Sequence, residues 1–281
     1  MNIVIFAVLA ALNFSHADAT FISGTDFQAC RKELLEMLPV AEDSKSKSQV
    51  LWRLARVQLM LGEKETTKEG RRTVFAEGVK YGEQAIAASP KDPDCYMWHS
   101  ACVGRECQTH SLKDQAQAVP VMMRDLSMIL ETMGRTDYSA AWQALAEIYW
   151  NHPFKSNDEA INFTRKAIST IPSGELRLSA YILLAQMLIK RDAGPSKRTS
   201  IIKSNASKTV KGNIGKFSCY DGILGPGFKP VWSSKSISEL SDAEEAEAIL
   251  KYAENIYIKR NNKTVIDRTD YRTIQSLLKK L

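Results

Sequence analysis

The chain has 281 residues, enough for one large or two small domains with a sizeable core. Hydrophobic residues make up 44% and charged residues 25%, as in soluble globular proteins, and the scarcity of glycine (14) and proline (9) argues against a turn-rich β protein. The net charge of +6 is a mild excess, which fits acidic partner surfaces but does not by itself indicate nucleic-acid binding.

The N-terminus resembles a targeting segment. Residues 3–12 form an unbroken apolar run that is too short to span a bilayer, which needs about 20 apolar residues. Ala17-Asp18-Ala19 follows as a small-x-small site, so we predict a signal peptide over residues 1–19. The alternatives are an uncleaved anchor or a hydrophobic N-terminal helix, because Met1 and Asn2 supply no Lys or Arg. We therefore expect a periplasmic or secreted protein, and a cytoplasmic one if the signal is not used.

Residues 20–191 are expected to form a domain of amphipathic helix pairs. A first short helix is predicted over 27–39. From residue 49 the chain repeats an amphipathic helix, a loop, a second amphipathic helix and a proline. A long loop is expected over 62–72, and a helix over 121–133, after Pro120.

The most specific unit is Ala141 to Pro172. Trp142, Leu145, Ala146 and Tyr149 recur at i, i+3, i+4 and i+7, which places them on one helix face. Their order, W-x2-L-A-x2-Y, matches the first helix of the tetratricopeptide repeat (TPR), and Pro172 ends the second helix. The sequence therefore predicts an all-α fold of stacked antiparallel helix pairs, a TPR-like solenoid.

The composition changes after Arg191. Residues 192–237 are rich in lysine and glycine without a clear period, which predicts an extended or flexible basic segment. Residues 238–281 are expected to be a C-terminal helical extension: Ser241 can cap a helix that ends near Lys259, and a last short helix follows.

Three stretches carry a family resemblance: LWRLAR at 51–56, YGEQAIAASP at 81–90, and the Trp-containing helix at 95–103. They resemble the regulator-of-microtubule-dynamics branch of TPR-like proteins. Residues 141–172 are also similar to the exported bacterial TPR proteins that accompany tripartite (TRAP-type) solute transporters. Together the resemblance covers residues 49–191, and it implies binding of proteins or ligands rather than catalysis.

The function that we expect is a non-enzymatic exported scaffold that binds a protein partner or a small hydrophobic ligand on its concave face. The alternative is a microtubule-associated regulator. Trp150, Trp98 and Tyr149 are the candidate partner-binding residues, because buried aromatic anchors supply most of the energy of protein interfaces. We expect no cofactor, no nucleic acid, and no transmembrane segment in the mature chain.

A third reading is a metal-dependent enzyme centred on the helix that contains Cys95, His99 and Cys102. Cys107 or His110 would complete four ligands, but the spacing is not a standard zinc signature. Buried packing of these side chains, or a disulfide at Cys102 or Cys107, are the other readings. None of the motifs G-x-S-x-G, H-E-x-x-H or a P-loop occurs, so the sequence favours a non-enzyme.

Overall fold

A computed structural model of the chain describes residues 12–152 and 155–281. Its regular elements within these ranges are helices, with no strand, so the predicted all-α fold is confirmed. The chain divides into two compact units, Met1–Ala118 and Val119–Leu281. No helix in the described ranges is both long and apolar enough to cross a membrane.

The first unit is built from helices that pack on their neighbours in the chain. They are α1 (Ser15–Ser23), α2 (Phe27–Met37), α3 (Ser44–Lys64), α4 (Lys68–Ala88), α5 (Pro93–Cys107) and α6 (Leu112–Ser127), the last of which contains the unit boundary. Asp26, Asp43, Thr67 and Asp92 cap α2 to α5, because each side chain accepts a hydrogen bond from a backbone N–H of the first turn.

Helices α3, α4 and α5 form the centre of this unit. Each of the three packs against the other two, and α2 lies against α3. Two glycines of α4 permit a close approach to α5. A Cβ on Gly82 would lie 2.7 Å from the Cβ of His99, and one on Gly78 would lie 2.8 Å from the Sγ of Cys102. These glycines therefore fix how tightly the two helices can pack.

The second unit continues the helix-pair pattern. After a π-helical turn (Met128–Thr132) its helices are α7 (Ser139–Asn151), α8 (Asn157–Ser169), α9 (Leu178–Arg191), α10 (Pro195–Ala206), α11 (Gly212–Phe217), α12 (Tyr220–Leu224), α13 (Asp242–Lys259) and α14 (Val265–Leu278). Helix α7 packs on α8, α8 on α9, α9 on α13 and α13 on α14. The fully buried Trp142 is stacked on Phe163, with ring centroids 5.8 Å apart.

Two elements differ from the sequence-based expectation. Helix α6 runs through Pro120 instead of starting after it. Pro120 and Ala116 are both exposed, so water can hydrate the Ala116 carbonyl that proline leaves without a donor. The loop expected over 62–72 is also short, since α3 extends to Lys64 and α4 begins at Lys68.

Residues 192–237 contain the helices α10, α11 and α12, in contrast to the extended segment that the sequence predicts there. These helices are anchored by buried polar side chains and by isolated apolar contacts, such as that of Phe217 with Trp142, rather than by a regular apolar stripe. Asn205 Nδ2 donates to Asp221 at 2.8 Å, and the Asn162 amide on α8 bonds the backbone of Ser218 and Asp221, each at 2.9 Å. A periodicity search for apolar residues therefore misses these helices.

The predicted cleavage site after Ala19 lies inside α1. The apolar run that suggested a signal peptide lies, over residues 3–11, outside the described residues. Signal cleavage and export stay predictions of the sequence.

Candidate protein-binding site

Helix α3 presents two arginines on a face that is otherwise aromatic. The LWRLAR stretch buries Leu51, Leu54 and Ala55 in the core and turns Arg53 and Arg56 to the opposite side. The Trp52 ring lies against both guanidinium groups, with its centroid 4.0 Å from that of Arg53 and 5.2 Å from that of Arg56, and the residue is 6% exposed. We call the surface formed by Trp52, Arg53, Arg56 and Trp98 the Arg–Trp face.

Asp18 of α1 is bound by both arginines of this face. Arg53 donates from Nε and Nη2 to the Asp18 carboxylate at 2.9–3.2 Å, in a bidentate arrangement. Arg56 Nη2 donates to the same carboxylate at 2.5 Å. The side chains of Arg53 and Arg56 are only 11% and 12% exposed, so this interaction is shielded from solvent more than most surface ion pairs.

Two aromatic side chains of the α1 segment flank this carboxylate. The Arg53 guanidinium lies 4.1 Å from the ring centroid of Phe14, and that of Arg56 lies 3.8 Å from Phe21. Phe21 also contacts Trp98 of α5 in an edge-on arrangement, with ring centroids 6.5 Å apart. The Arg–Trp face thus holds an aromatic–carboxylate–aromatic sequence by cation–π and charge-assisted contacts.

The electrostatics of this site favour a bound carboxylate. Burial opposes the ionisation of Asp18, but hydrogen bonds and charge from Arg53 and Arg56 outweigh burial and hold the pKa of Asp18 below its usual value. Two buried donors, Trp52 Nε1 and Arg56 Nε, find no acceptor in the described part of the chain. The face therefore has hydrogen-bonding capacity that α1 does not use.

The three predicted partner-binding residues occupy different surroundings. Trp98 is half-buried in the Arg–Trp face of the first unit, whereas Tyr149 and Trp150 lie on α7 in the second. Tyr149 is 8% exposed and packs edge-on against Phe163 at 5.0 Å, as a core residue does. Trp150 is half-buried, with the Lys190 ammonium 4.3 Å from its ring centroid. Partner binding by these residues stays a prediction.

The cysteines and histidines of the metal hypothesis are used in packing. Cys95, His99 and Cys102 are all buried, and Cys102 Sγ donates to the Ala55 carbonyl at 3.3 Å. His110 hydrogen-bonds Glu106, and Cys107 donates to the Gly104 carbonyl at 3.1 Å. All five cysteines of the chain are free and buried. No group of three or more His, Cys, Asp or Glu side chains in the described ranges is arranged to hold a metal ion.

A cavity in the second unit is enclosed by charged side chains. Arg165, Arg191, Arg198 and Asp221 line it together with three isoleucines, and its volume is about 10 Å³. This space admits about one water molecule. The cavity is therefore too small for the small hydrophobic ligand that the sequence suggested.

Sequence reasoning missed the roles of Asp18, Arg53 and Arg56. The sequence places Asp18 in the predicted cleavage site and the two arginines in a stretch that is typical of helix packing. A usable signal is present, because Arg53 and Arg56 are three residues apart in the stretch 50–61, which is otherwise apolar except for Gln58.

Comparison with known proteins finds a family similarity over part of the chain. The family model described as regulator of microtubule dynamics protein 1-3 matches residues 14–127, less than half of the chain. The matched range contains α1 to α6 and every residue of the Arg–Trp face. No curated protein shows significant similarity to the chain. Over residues 14–127 the chain is thus similar to the regulators of microtubule dynamics.

Proposed function

We propose that the chain is a non-enzymatic protein-binding module of the regulator-of-microtubule-dynamics type. The observation that carries this proposal is the family match over residues 14–127. The match coincides with the part of the chain in which helix pairs present a charged aromatic surface. The resemblance to TRAP-associated TPR proteins has no comparable support.

The Arg–Trp face has the composition of an interaction surface. Trp and Arg are the residues that dominate binding energy at protein interfaces, where they work from largely desolvated positions. The mild positive charge of the chain, +6, favours approach to an acidic partner. The same face offers cationic groups but no nucleophile with an adjacent base, which is why we propose binding rather than catalysis.

Microtubule growth assays with purified full-length chain test this function. The growth rate or the catastrophe frequency of dynamic microtubules should change with the concentration of the chain. Trp98→Ala should weaken the effect, because it removes an aromatic anchor of the Arg–Trp face. Trp150→Ala is the comparison variant: it removes the half-buried tryptophan that is predicted to bind a partner in the second unit, and an unchanged effect of this variant would assign the binding to the Arg–Trp face. Unchanged growth and catastrophe at chain concentrations up to that of tubulin would contradict the proposal.

An exported scaffold is the second candidate, supported by the apolar run over residues 3–12 and the small residues at 17–19. Cleavage after Ala19 would cut α1 and remove Asp18, the carboxylate that Arg53 and Arg56 bind. Two partly buried arginines would then lose their counter-charge, which is unfavourable. This cost favours a protein that keeps α1.

Sequencing of the mature N-terminus separates the two candidates. A microtubule regulator should retain the segment from Phe14 to Ser23. A mature chain that begins at Thr20 would support export and would make a cytoskeletal role untenable.

A further inference from the structure

Helix α1 is bound to the first unit in the way a short peptide ligand is bound. It has nine residues, and a helix of this length is marginal in water without tertiary contacts. Ala17 is its one buried residue, whereas Ser15, His16, Ala19 and Ile22 are exposed. The helix therefore depends on tertiary contacts of two kinds. Asp18, Phe14 and Phe21 contact the Arg–Trp face, and the Ala17 carbonyl and the His16 ring bond Cys30 and Glu33 of α2.

The N-terminal cap of α2 does not depend on α1, although α2 contacts α1 through Cys30, Glu33 and Phe27. Gly24 ends α1 in the left-handed conformation, with φ at 68°, and Thr25 and Asp26 are exposed. Asp26 caps α2 independently of α1, because its side chain accepts from the Ala29 N–H at 2.9 Å. Release of α1 would leave this cap in place.

The spacing within α1 matches the spacing of the groups that bind it. Phe14, Asp18 and Phe21 follow one another at i, i+4 and i+7, which places them along one side of a helical segment. Arg53 and Arg56 each contact the carboxylate and one of the two rings. Two arginines, of which Arg53 is bidentate, together with the rings that stack on them select a carboxylate between aromatic residues, which a simple acidic surface does not provide.

The Arg–Trp face also has hydrogen-bond donors that α1 does not use. Trp52 is more than nine-tenths buried, yet the described residues supply no acceptor for its Nε1. Arg56 Nε is likewise a buried donor without an acceptor among the described residues. A longer helix with a further carbonyl or carboxylate oxygen could accept hydrogen bonds from these two donors, and it would then bind the face more tightly than α1 does.

We propose that the Arg–Trp face binds a partner protein through a helix that carries a carboxylate between two aromatic residues, and that α1 is the intramolecular occupant that this partner helix displaces. The proposal rests on the protein-binding function proposed above and identifies its surface and the chemistry of its partner. In the resting chain α1 competes for the surface, so partner affinity is reduced by the fraction of molecules in which α1 is docked.

A peptide exchange experiment tests the proposal. The probe is a fluorescein-labelled peptide with the sequence of residues 12–25, and the readout is fluorescence anisotropy with the full-length chain. Asp18→Lys places a lysine against Arg53 and Arg56 and should release α1. We expect the peptide to bind this variant at least about tenfold more tightly than the wild-type chain, whose own α1 blocks the face.

Two controls identify the charge contact. A peptide with lysine in place of its aspartate should not bind the Asp18→Lys chain. The triple variant Asp18→Lys/Arg53→Glu/Arg56→Glu restores opposite charges across the contact, so its α1 should dock again and exclude the unmodified peptide. Hydrogen exchange of residues 15–23 reports α1 release in each chain, and circular dichroism confirms that the helices are retained.

Equal affinity of the peptide for the wild-type and Asp18→Lys chains would overturn the proposal. So would the absence of binding to an Asp18→Lys chain in which α1 exchanges rapidly. If Asp18→Lys does not fold, Phe21→Ala serves instead, since it keeps the ion pairs. It should speed the exchange of residues 15–23, and exchange as slow as in the wild type would refute a loosely docked α1. This assay contains no microtubules, so its failure is separate from failure of the cytoskeletal function.

Discussion

At the scale of single residues, Glu245 is a carboxylate that is fully buried in the second unit. Arg165 donates to both of its oxygens at 2.6 Å, Arg198 contacts it as well, and Trp232 Nε1 donates at 3.3 Å. Burial opposes its ionisation, but the two arginines prevail and lower the pKa of Glu245 to about 2. Glu245 and the two arginines are therefore all charged throughout the physiological pH range.

Removal of this charge should destabilise the second unit. Glu245→Gln leaves the buried Arg165 without the carboxylate that it binds and leaves Arg198 with Asp242 as its remaining partner, so we expect a loss of about 3–5 kcal/mol in the free energy of unfolding. Urea unfolding monitored by circular dichroism at neutral pH measures it. Because the pKa of Glu245 lies below that of an unfolded glutamate, its contribution is present above about pH 4.3 and is lost as the pH falls toward 2.

The matched control lies two residues later on α13. Glu247 forms an exposed pair with Lys251, so Glu247→Gln should change stability by less than about 0.5 kcal/mol. Comparable losses in the free energy of unfolding for Glu245→Gln and Glu247→Gln would show that the buried ion pair contributes no more to stability than the exposed one.

Asp270 of α14 has the opposite perturbation. Burial, reinforced by the nearby charge of Asp267, raises the pKa of Asp270 to about 6. Its protonated form is therefore favoured in the folded state, and stability falls as the pH rises from about 4 through 6. Asp270→Asn should remove this loss and raise the free energy of unfolding at pH 7 by ~1–2 kcal/mol, as measured by urea unfolding across this pH range. A gain of the same size at pH 4 would contradict the titration of Asp270 as its cause.

At the scale of elements, the close contact of α4 with α5 makes a specific steric prediction. Gly82→Ala would place a Cβ 2.8 Å from the Cα of His99, and backbone cannot move aside as a flexible side chain can. We expect a loss of about 1–3 kcal/mol in thermal or urea unfolding. Gly227→Ala is the control, because no atom lies within 4 Å of the added Cβ. A neutral Gly82→Ala would mean that the two helices can separate at little cost.

Elements with an apolar period were accessible from the sequence. The face formed by Trp142, Leu145, Ala146 and Tyr149 is buried as predicted, since helical spacing of large apolar residues leaves few other arrangements. The cap of α13 by Ser241, completed by Glu244 in a capping box, also follows from local sequence.

Helices that are held by long-range polar contacts cannot be predicted from the sequence in this way. Arg198 is 2% exposed, although an arginine within a basic stretch predicts a solvated surface. Its partners Asp242 and Glu245 lie on α13, more than forty residues away, and no local pattern announces them. The contacts of Asp18 are hidden from the sequence for the same reason, because their partners Arg53 and Arg56 lie on another helix.

At the scale of the whole molecule, the five thiols provide a test of the packing in both units. All are free and buried, and burial raises the pKa of Cys30 to about 11 and that of Cys102 to about 12. Because the thiolate is the reactive form, a thiol reagent should label the native chain slowly and should reach five thiols per chain in denaturant. Fewer than five in denaturant would instead reveal a disulfide, and rapid labelling of the native chain would contradict the buried positions.

The ion pair between Arg165 and Glu245 joins residues that are 80 positions apart in the sequence. During synthesis the ribosome releases α8, with its arginine, well before α13 emerges. The arginines on α8 and α10 must remain hydrated until Glu245 is available, because their burial without it is unfavourable. The core of the second unit therefore cannot form step by step as its helices emerge. It can be completed only after α13 has left the ribosome.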